Sequence, residues 1–282
     1  MCAAIEEGVR RMACYNQDDP STRCLGFPCG CSLNNCAAHY SPLPGDTATL
    51  GKSDIMKIDF GVAINGRIID SAFSVCFDDR FKPLIEATKE ATETGIKLAG
   101  PDARISEIGA AIEEVITSYQ LELDGKILPL RPVYNLTGHQ MDDYTVHCGK
   151  SIPITRRNDS TDRMLPGELY ALETFATTGK GFVFDDGVTS HFMVAKKHPS
   201  PKTGSEQHLL NALNKNFKTM AFCQRFIERA GERRYSITLS ELVKHKIVDP
   251  YPPLSDVPGC YISQHEHTFG ILEHHKEIFS RM

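Results

Sequence analysis

The sequence predicts a mixed α/β fold of the α+β kind, in which antiparallel strands are covered by helices. Three observations carry this reading. Two β-rich runs flank Asn65-Gly66 in MKIDFGVAINGRIIDSAFSVCF, the strongest short hairpin signal a chain can carry. Two helical segments, 82–99 and 103–120, follow it. Strand-like runs then return in YNLTGHQMDDYTVHCGKSIPI and ELYALETFATTGKGFVFDDG.

The counts bound what such a fold can do. A chain of 282 residues with 41% hydrophobic and 24% charged residues can bury a core as one large domain or two small ones. Lys plus Arg total 31 and Asp plus Glu total 36, a formal charge of −5. With no basic stripe, nucleic acid is disfavoured as the main partner. No apolar run approaches the roughly 18–20 residues that span a bilayer. Glu6 and Glu7 stand where a signal peptide would have its apolar stretch. A cytoplasmic protein, neither secreted nor in a membrane, is therefore expected. Of the ten cysteines, four crowd together as Cys24, Cys29, Cys31 and Cys36. Their spacing fits a zinc site poorly, because paired zinc thiolates usually sit two to four residues apart. They read as reduced thiols, some of them in a core. The sequons at Asn135 and Asn158 then carry no glycan.

Taken in order, residues 1–15 read as a short helix. Residues 22–46, rich in Gly, Pro and Cys, read as loop plus short strands. The hairpin and helices follow, with Ile105, Ile108, Ile112, Val115 or Ile116, and Tyr119 on one helical face. ELYALETFATTGKGFVFDDG reads as a second strand pair. A faint echo links KIDFGVAINGR to YALETFATTGK and hints at a duplicated half. Residues 196–260 form a helical insertion. Leu209, Leu210, Leu213, Phe217, Met220 and Ala221 make one apolar helical face, and Leu239, Leu242 and Val243 begin another helix. YPPLSDVPG closes the segment, and CYISQHEHTFGIL is a last strand. The whole reads as one domain, 1–282, carrying the 196–260 segment within it.

Acids inside strand patterns are the anomaly, since Asp and Glu are depleted in strands and rarely buried unpaired. Asp59, Asp70, Glu173 and Glu266 all sit there. With Asn65-Gly66 as the turn, Ile64 faces Arg67, position 61 faces Asp70 and Asp59 faces position 72. Positions 59 and 61 share a face, so Asp59 and Asp70 are diagonal neighbours about 7–8 Å apart at Cα. Two such carboxylates repel unless a proton or cation lies between them, and a divalent metal answers most simply. The bland alternative is a solvated sheet face. His139 joins the candidates after a glycine in a strand-like stretch.

At these residues the sequence resembles the methionine aminopeptidases, and closely their type 2 branch. The matching segments are GCSLNNCAAHY, KIDFGVAINGRIIDSAF, NLTGHQMDDYTVHCGKSIPI, ELYALETFATTGKG, VDPYPPLSD and QHEHT. They run from about residue 24 to the end of the chain. The resemblance implies the pita-bread fold, a pseudo-two-fold pair of halves around a curved antiparallel sheet, with the insertion that marks type 2. It implies two divalent ions per chain on Asp59, Asp70, His139, Glu173 and Glu266, with Asp70 and Glu266 bridging. The mostly oxygen donor set suits Mn, Fe(II), Co or Zn and does not choose among them. It implies hydrolytic removal of N-terminal methionine ahead of a small second residue, with Glu173 shuttling the proton. His39 would contact substrate and react with fumagillin-type epoxides. His147 would bind the scissile carbonyl, and His191 and Tyr251 would line the cleft. Phe27, Ala221 and Phe222 would shape the methionine pocket, with plain core as the alternative for Phe222. The implied partner is a peptide or nascent-chain N-terminus, with ribosome association left open, and the implied state is a monomer.

Departures from the family pattern are Thr137 for Asn, Cys148 for a small apolar residue and Cys29 for Thr. None removes a ligand. The lysine-rich extension of eukaryotic members is not in this sequence, which reads either as a minimal form or as an incomplete start. Two rivals are weaker. A prolidase or aminopeptidase P would carry an extra N-terminal domain. A non-catalytic homologue binding RNA, ribosomes or proteins would have lost ligands, and all five are present.

Overall fold

A computed structural model describes residues 1–156 and 161–281, so the Asn158 sequon lies outside the described residues. Helix α1 (Cys2–Met12) lays Cys2, Glu6 and Val9 against strand β1 (Arg23–Leu33). Residues 22–46 are thus more regular than their composition suggests. β1 runs unbroken for 11 residues and is followed by the short β2 (Cys36–Ala38). Pro28 and the flanking glycines leave their mark as two register shifts, between Leu25 and Phe27 and between Phe27 and Gly30. Such irregularities bend a strand without ending it.

β3 (Ile55–Ile64) and β4 (Arg67–Cys76) form the expected hairpin. Ile64 pairs with Arg67, Gly61 with Asp70 and Asp59 with Ala72. Asn65 and Gly66 have φ of 51° and 89°, the left-handed pair that a type I′ turn requires. Strands β1, β3 and β4 make a first sheet.

Helices α2 (Lys82–Leu98) and α3 (Ile105–Thr117) come next. Ile105, Ile108, Ile112 and Ile116 are all buried, and Val115 is only partly so. After the β5 (Gln120–Leu123) and β6 (Lys126–Pro129) hairpin, the chain lays down β7 (Arg131–Pro132), β8 (Thr137–Asp142), β9 (Thr145–Pro153) and β10 (Leu169–Thr177). Short strands β11 (Phe184–Asp185) and β12 (His191–Val194) lead to α4 (Gly204–Phe217), α5 (Gln224–Arg229) and α6 (Ser236–Lys244). Then β13 (Val248–Tyr251) pairs with β12, and β14 (Leu254–Ser255) with β11 and β2. β15 (Ile262–Ile271) and β16 (Lys276–Ile278) complete a second sheet in the order β16-β15-β10-β8-β9, with β7 also on β10.

Two expectations fail here. ELYALETFATTGKGFVFDDG is not a strand pair, because β10 pairs with β15, β8 and β7 while β11 pairs with β14. Asp256 explains it by accepting hydrogen bonds from the Thr177 hydroxyl and from the Lys180 and Gly181 amides. That turns the chain away before a hairpin can close. The apolar helical face ending at Ala221 is also cut short. α4 stops at Phe217, Lys218 takes a φ of 52°, and Met220 and Ala221 lie beyond the helix. The six-residue α5 is too short for periodicity to reveal.

The main core lies between α2, α3 and the second sheet, around Leu84, Ile108, Ile112, Leu172, Phe175 and Phe269. A second cluster joins α4, α5 and α6 to Val9, Leu25 and Phe192. The two sheets meet where β4 runs against β15. There the Thr268 hydroxyl donates to the Asp70 carbonyl and accepts from its amide, both at 2.8 Å. The Ser74 hydroxyl likewise donates to the Gln264 carbonyl at 3.0 Å and accepts from its amide at 2.8 Å. Side-chain hydroxyls thus take the place of a strand ladder across the seam. The result is the pita-bread arrangement.

Candidate metal centre and cleft

The seam gathers the acids. Asp59 and Asp70 come from the β3–β4 hairpin, while Glu173 on β10 stands directly opposite Glu266 on β15. His139 pairs with Ala171, two residues from Glu173, and so shares its face. His139 Nε2 lies 3.8 Å from Asp70 Oδ2 and 3.9 Å from Glu173 Oε1. Ligand atoms of Asp70, His139 and Glu266 lie within 4.8 Å of one another. Gln264 Nε2 donates to Asp59 Oδ2 and to Glu173 Oε2, both at 3.1 Å, and so holds these two acids side by side. The echo between KIDFGVAINGR and YALETFATTGK has this content: its two acids, Asp59 and Glu173, share one amide.

The electrostatics call for protons or a cation among these acids. Burial pushes the Asp59 carboxyl up to about 6. Burial, with the Asp59 charge behind it, pushes Glu173 up to about 8. Asp70 and Glu266 are driven well above the usual range by burial and then by the neighbouring carboxylates. Burial and then His147 hold His139 well below its ordinary value, so its approach to Asp70 is that of a neutral ring and not an ion pair. Asp59 Oδ1, Asp70 Oδ1 and Glu266 Oε1 are buried without a hydrogen-bond partner. Orphaned buried oxygens normally signal a missing ligand. Four crowded carboxylates and a neutral imidazole fit divalent metal.

Above them opens a cavity of about 550 Å³. Its wall includes every cleft residue the sequence nominates except Phe222. His39 follows β2 with a φ of 64°, a left-handed conformation uncommon for a non-glycine residue and typical of functional sites. Its ring centroid lies 5.8 Å from that of His191 and 6.0 Å from that of Tyr251, edge-on to the latter. His191 and Tyr251 pair directly across β12 and β13. His191 Nε2 donates to the Pro28 carbonyl at 3.3 Å, which assigns its tautomer. Burial pushes His39 down to about 3 and His191 down to about 4, so both rings are neutral at physiological pH. His147, on β9, is exposed, with its ring centroid 4.2 Å from that of His139.

Phe27 and Ala221 line the cavity, and the Phe27 ring lies over Gly61, where a Cβ would come within 2.5 Å of it. Phe222 is fully buried instead, stacked on Phe217 and Phe192 at ring-centroid distances of 5.3 and 6.1 Å. Phe222 thus takes the core place and does not line the cavity, while its neighbour Ala221 does. Sequence reasoning missed Gln264, Phe175, Met193 and Cys148. A signal existed for the first three. Each stands two residues from a nominated site residue on the same strand, hence on the same face.

The family model for metallopeptidase family M24 matches residues 1–198. Methionine aminopeptidase 2-1 of Aspergillus flavus is 47% identical over 98% of this chain. The chain spans just under two thirds of that relative, 63% of its length. Among solved structures, a thermophilic Arx1 superposes with a TM-score of 0.78 at 15% identity, covering 96% of this chain and 80% of its own. A methionine aminopeptidase from Thermotoga maritima gives a TM-score of 0.57 at 18% identity, covering 90% of this chain and 74% of its own. The two structures speak for the fold, and the family match speaks for a peptidase lineage built on divalent metal. The carboxylate-rich seam is thus the candidate metal centre of a chain that belongs to metallopeptidase family M24.

Proposed function

We propose that this protein is a methionine aminopeptidase that removes N-terminal methionine from peptides and nascent chains with a small second residue. The observation that carries this is the convergence of Asp59, Asp70, His139, Glu173 and Glu266 beneath a cavity with an apolar wall. Asp59, Asp70, His139, Glu173 and Glu266 would together hold two divalent ions. Co, Mn, Fe(II) or Zn would suit them. When bound, such a pair polarises a carbonyl and ionises water near neutral pH.

The chain's own residues would do the rest. Glu173 takes a proton from water and returns it to the leaving amine. His147 donates to the scissile carbonyl from the mouth of the cavity. Neutral His39, reaching in from its left-handed backbone, contacts the substrate and would be the nucleophile that fumagillin-type epoxides alkylate. His191 and Tyr251 hold the wall beside it. Phe27 and Ala221 receive the methionine side chain.

The same reading takes 1–282 as one catalytic domain with 196–260 as an insertion, supported by the core that α4–α6 share with α1 and β1. It is a monomer in this reading. A cytoplasmic setting, which keeps thiols reduced, suits ten free cysteines. No helix among the described residues is long and apolar enough to cross a membrane.

Cleavage of Met-Ala and Met-Gly-Met peptides should require added divalent metal and stop with a chelator. Asp70→Ala should lose metal binding and activity together. Full turnover by exhaustively chelated protein would overturn the reading.

A further inference from the structure

Three of the cysteines meet at a place their spacing does not announce. Cys29 and Cys31 project from one face of β1, and helix α1 brings Cys2 onto them. Their sulfurs all lie within 4.8 Å of one another, and Cys2 Sγ is 3.0 Å from Cys31 Sγ. All three thiols are free, and that separation is far beyond the about 2.05 Å of a disulfide. Relative exposures of 5%, 0% and 5% leave the group inside protein, in a cluster completed by Met56 and Ile58.

We propose that Cys2, Cys29 and Cys31 form a second metal site, a three-thiolate cradle for a thiophilic closed-shell ion of the Zn²⁺ or Cu⁺ kind. It lies on the face of β1 turned away from the carboxylates. The two faces are divided by Gly30, which pairs with Asp59 and lines the cavity.

Placement and donor type agree. A tetrahedral ion with metal–sulfur bonds of about 2.3 Å holds its sulfurs about 3.8 Å apart, so Cys2 and Cys31, now 3.0 Å apart, would open slightly around it while all three stay within 4.8 Å. Thiolate sulfur selects soft ions, so this cradle and the oxygen-rich centre would not compete for the same metal. Arg225, ion-paired with buried Glu6, organises the surroundings of the sulfurs. It donates to Glu6 Oε1 at 2.5 Å and to Ser41 Oγ at 2.8 Å. Glu6 in turn accepts the Cys29 amide at 3.2 Å, and Ser41 Oγ donates to the Cys29 carbonyl at 2.8 Å. Backbone and cation are thus fixed around the sulfurs. The ion would take the place of the thiol protons of Cys2, Cys29 and Cys31, which pass to solvent. Nothing in this depends on the peptidase reading.

The test uses the whole chain, reduced and metal-free, with the oxygen-rich centre first saturated with Mn²⁺. Cd²⁺ alone is then titrated as the probe. One Cd²⁺ per chain should raise a thiolate-to-cadmium absorption band with release of protons. Cys29→Ser and Cys31→Ser should each weaken binding by more than about 100-fold, beyond the usual effect of losing a neighbouring support. Cys2→Ser, at the start of α1 and so less demanding of the fold, should do the same, while exposed Cys14→Ser should change nothing. No band in the wild type, an undiminished band in all three variants, or a Cys2–Cys31 disulfide in the reduced preparation would each overturn the site.

Discussion

At the scale of single residues, the site is governed by groups kept from their preferred charge. His39 and His191 are neutral because the protein around them replaces water. Their folded values, about 3 and about 4, lie below the ordinary histidine value of 6.5. Between those limits the unfolded chain binds more protons than the native one, so stability rises with pH. The contribution is fully present above pH about 6.5 and is lost as pH falls toward about 4. The buried carboxyls, held above their usual range, act with the opposite sign, so the test is a comparison: in urea unfolding at pH 7 and pH 5, acidification should cost the wild type more than His39→Gln. An equal change in both would refute the burial account. Of the site's residues, the acids were legible because a carboxylate in a strand pattern is anomalous in itself. Gln264 was not, since a glutamine there is unremarkable until it is seen bridging Asp59 and Glu173. Phe222 was ambiguous for the opposite reason. An aromatic residue suits a pocket wall or a core equally well, and only three-dimensional packing chose the core.

At the scale of elements, local chemistry was readable and distant pairing was not. Asn65-Gly66 dictated the whole β3–β4 register, down to Gly61 opposite Asp70. The partners of β10 lie about 30 residues before it and 90 after it, and no turn residue encodes such a choice. The α3 face shows a constraint of another kind. A Cβ on Gly109 would come within 2.6 Å of the Thr155 carbonyl and 2.7 Å of the Pro153 carbonyl. Backbone cannot yield as a side-chain tip can, so α3 would have to lift from the segment it packs on. Gly109→Ala should therefore cost about 1–3 kcal/mol despite alanine's better helix propensity. Chemical denaturation measures this directly, and a stabilised variant would contradict the close approach.

At the scale of the whole molecule, the proposed metal centre belongs to neither sheet. It would draw two ligands from the β3–β4 hairpin and three from the second sheet, so bound metal would tie one half to the other. Two divalent ions would also bring the formal charge of −5 to about −1. Added Mn²⁺ should raise the thermal midpoint, with about 2.7 kcal/mol gained at a concentration one hundred times Kd. Excess chelator should reverse it, and a midpoint indifferent to both would show that the seam holds no metal. One last feature bears on how far this architecture can vary. The β12–β13 ribbon sets His191 opposite Tyr251 and closes the chain on either side of α4–α6, so it works as a clasp. What hangs from it is packed and not loose: α4–α6 share a core with Val9, Leu25 and Phe192, and the Phe222 amide and carbonyl bond Phe192 at 2.8 and 2.9 Å and carry Ala221 to the cavity. Changes on the exposed side of these helices should therefore leave the histidine–tyrosine wall intact, whereas cuts that reach the packed side should disturb it.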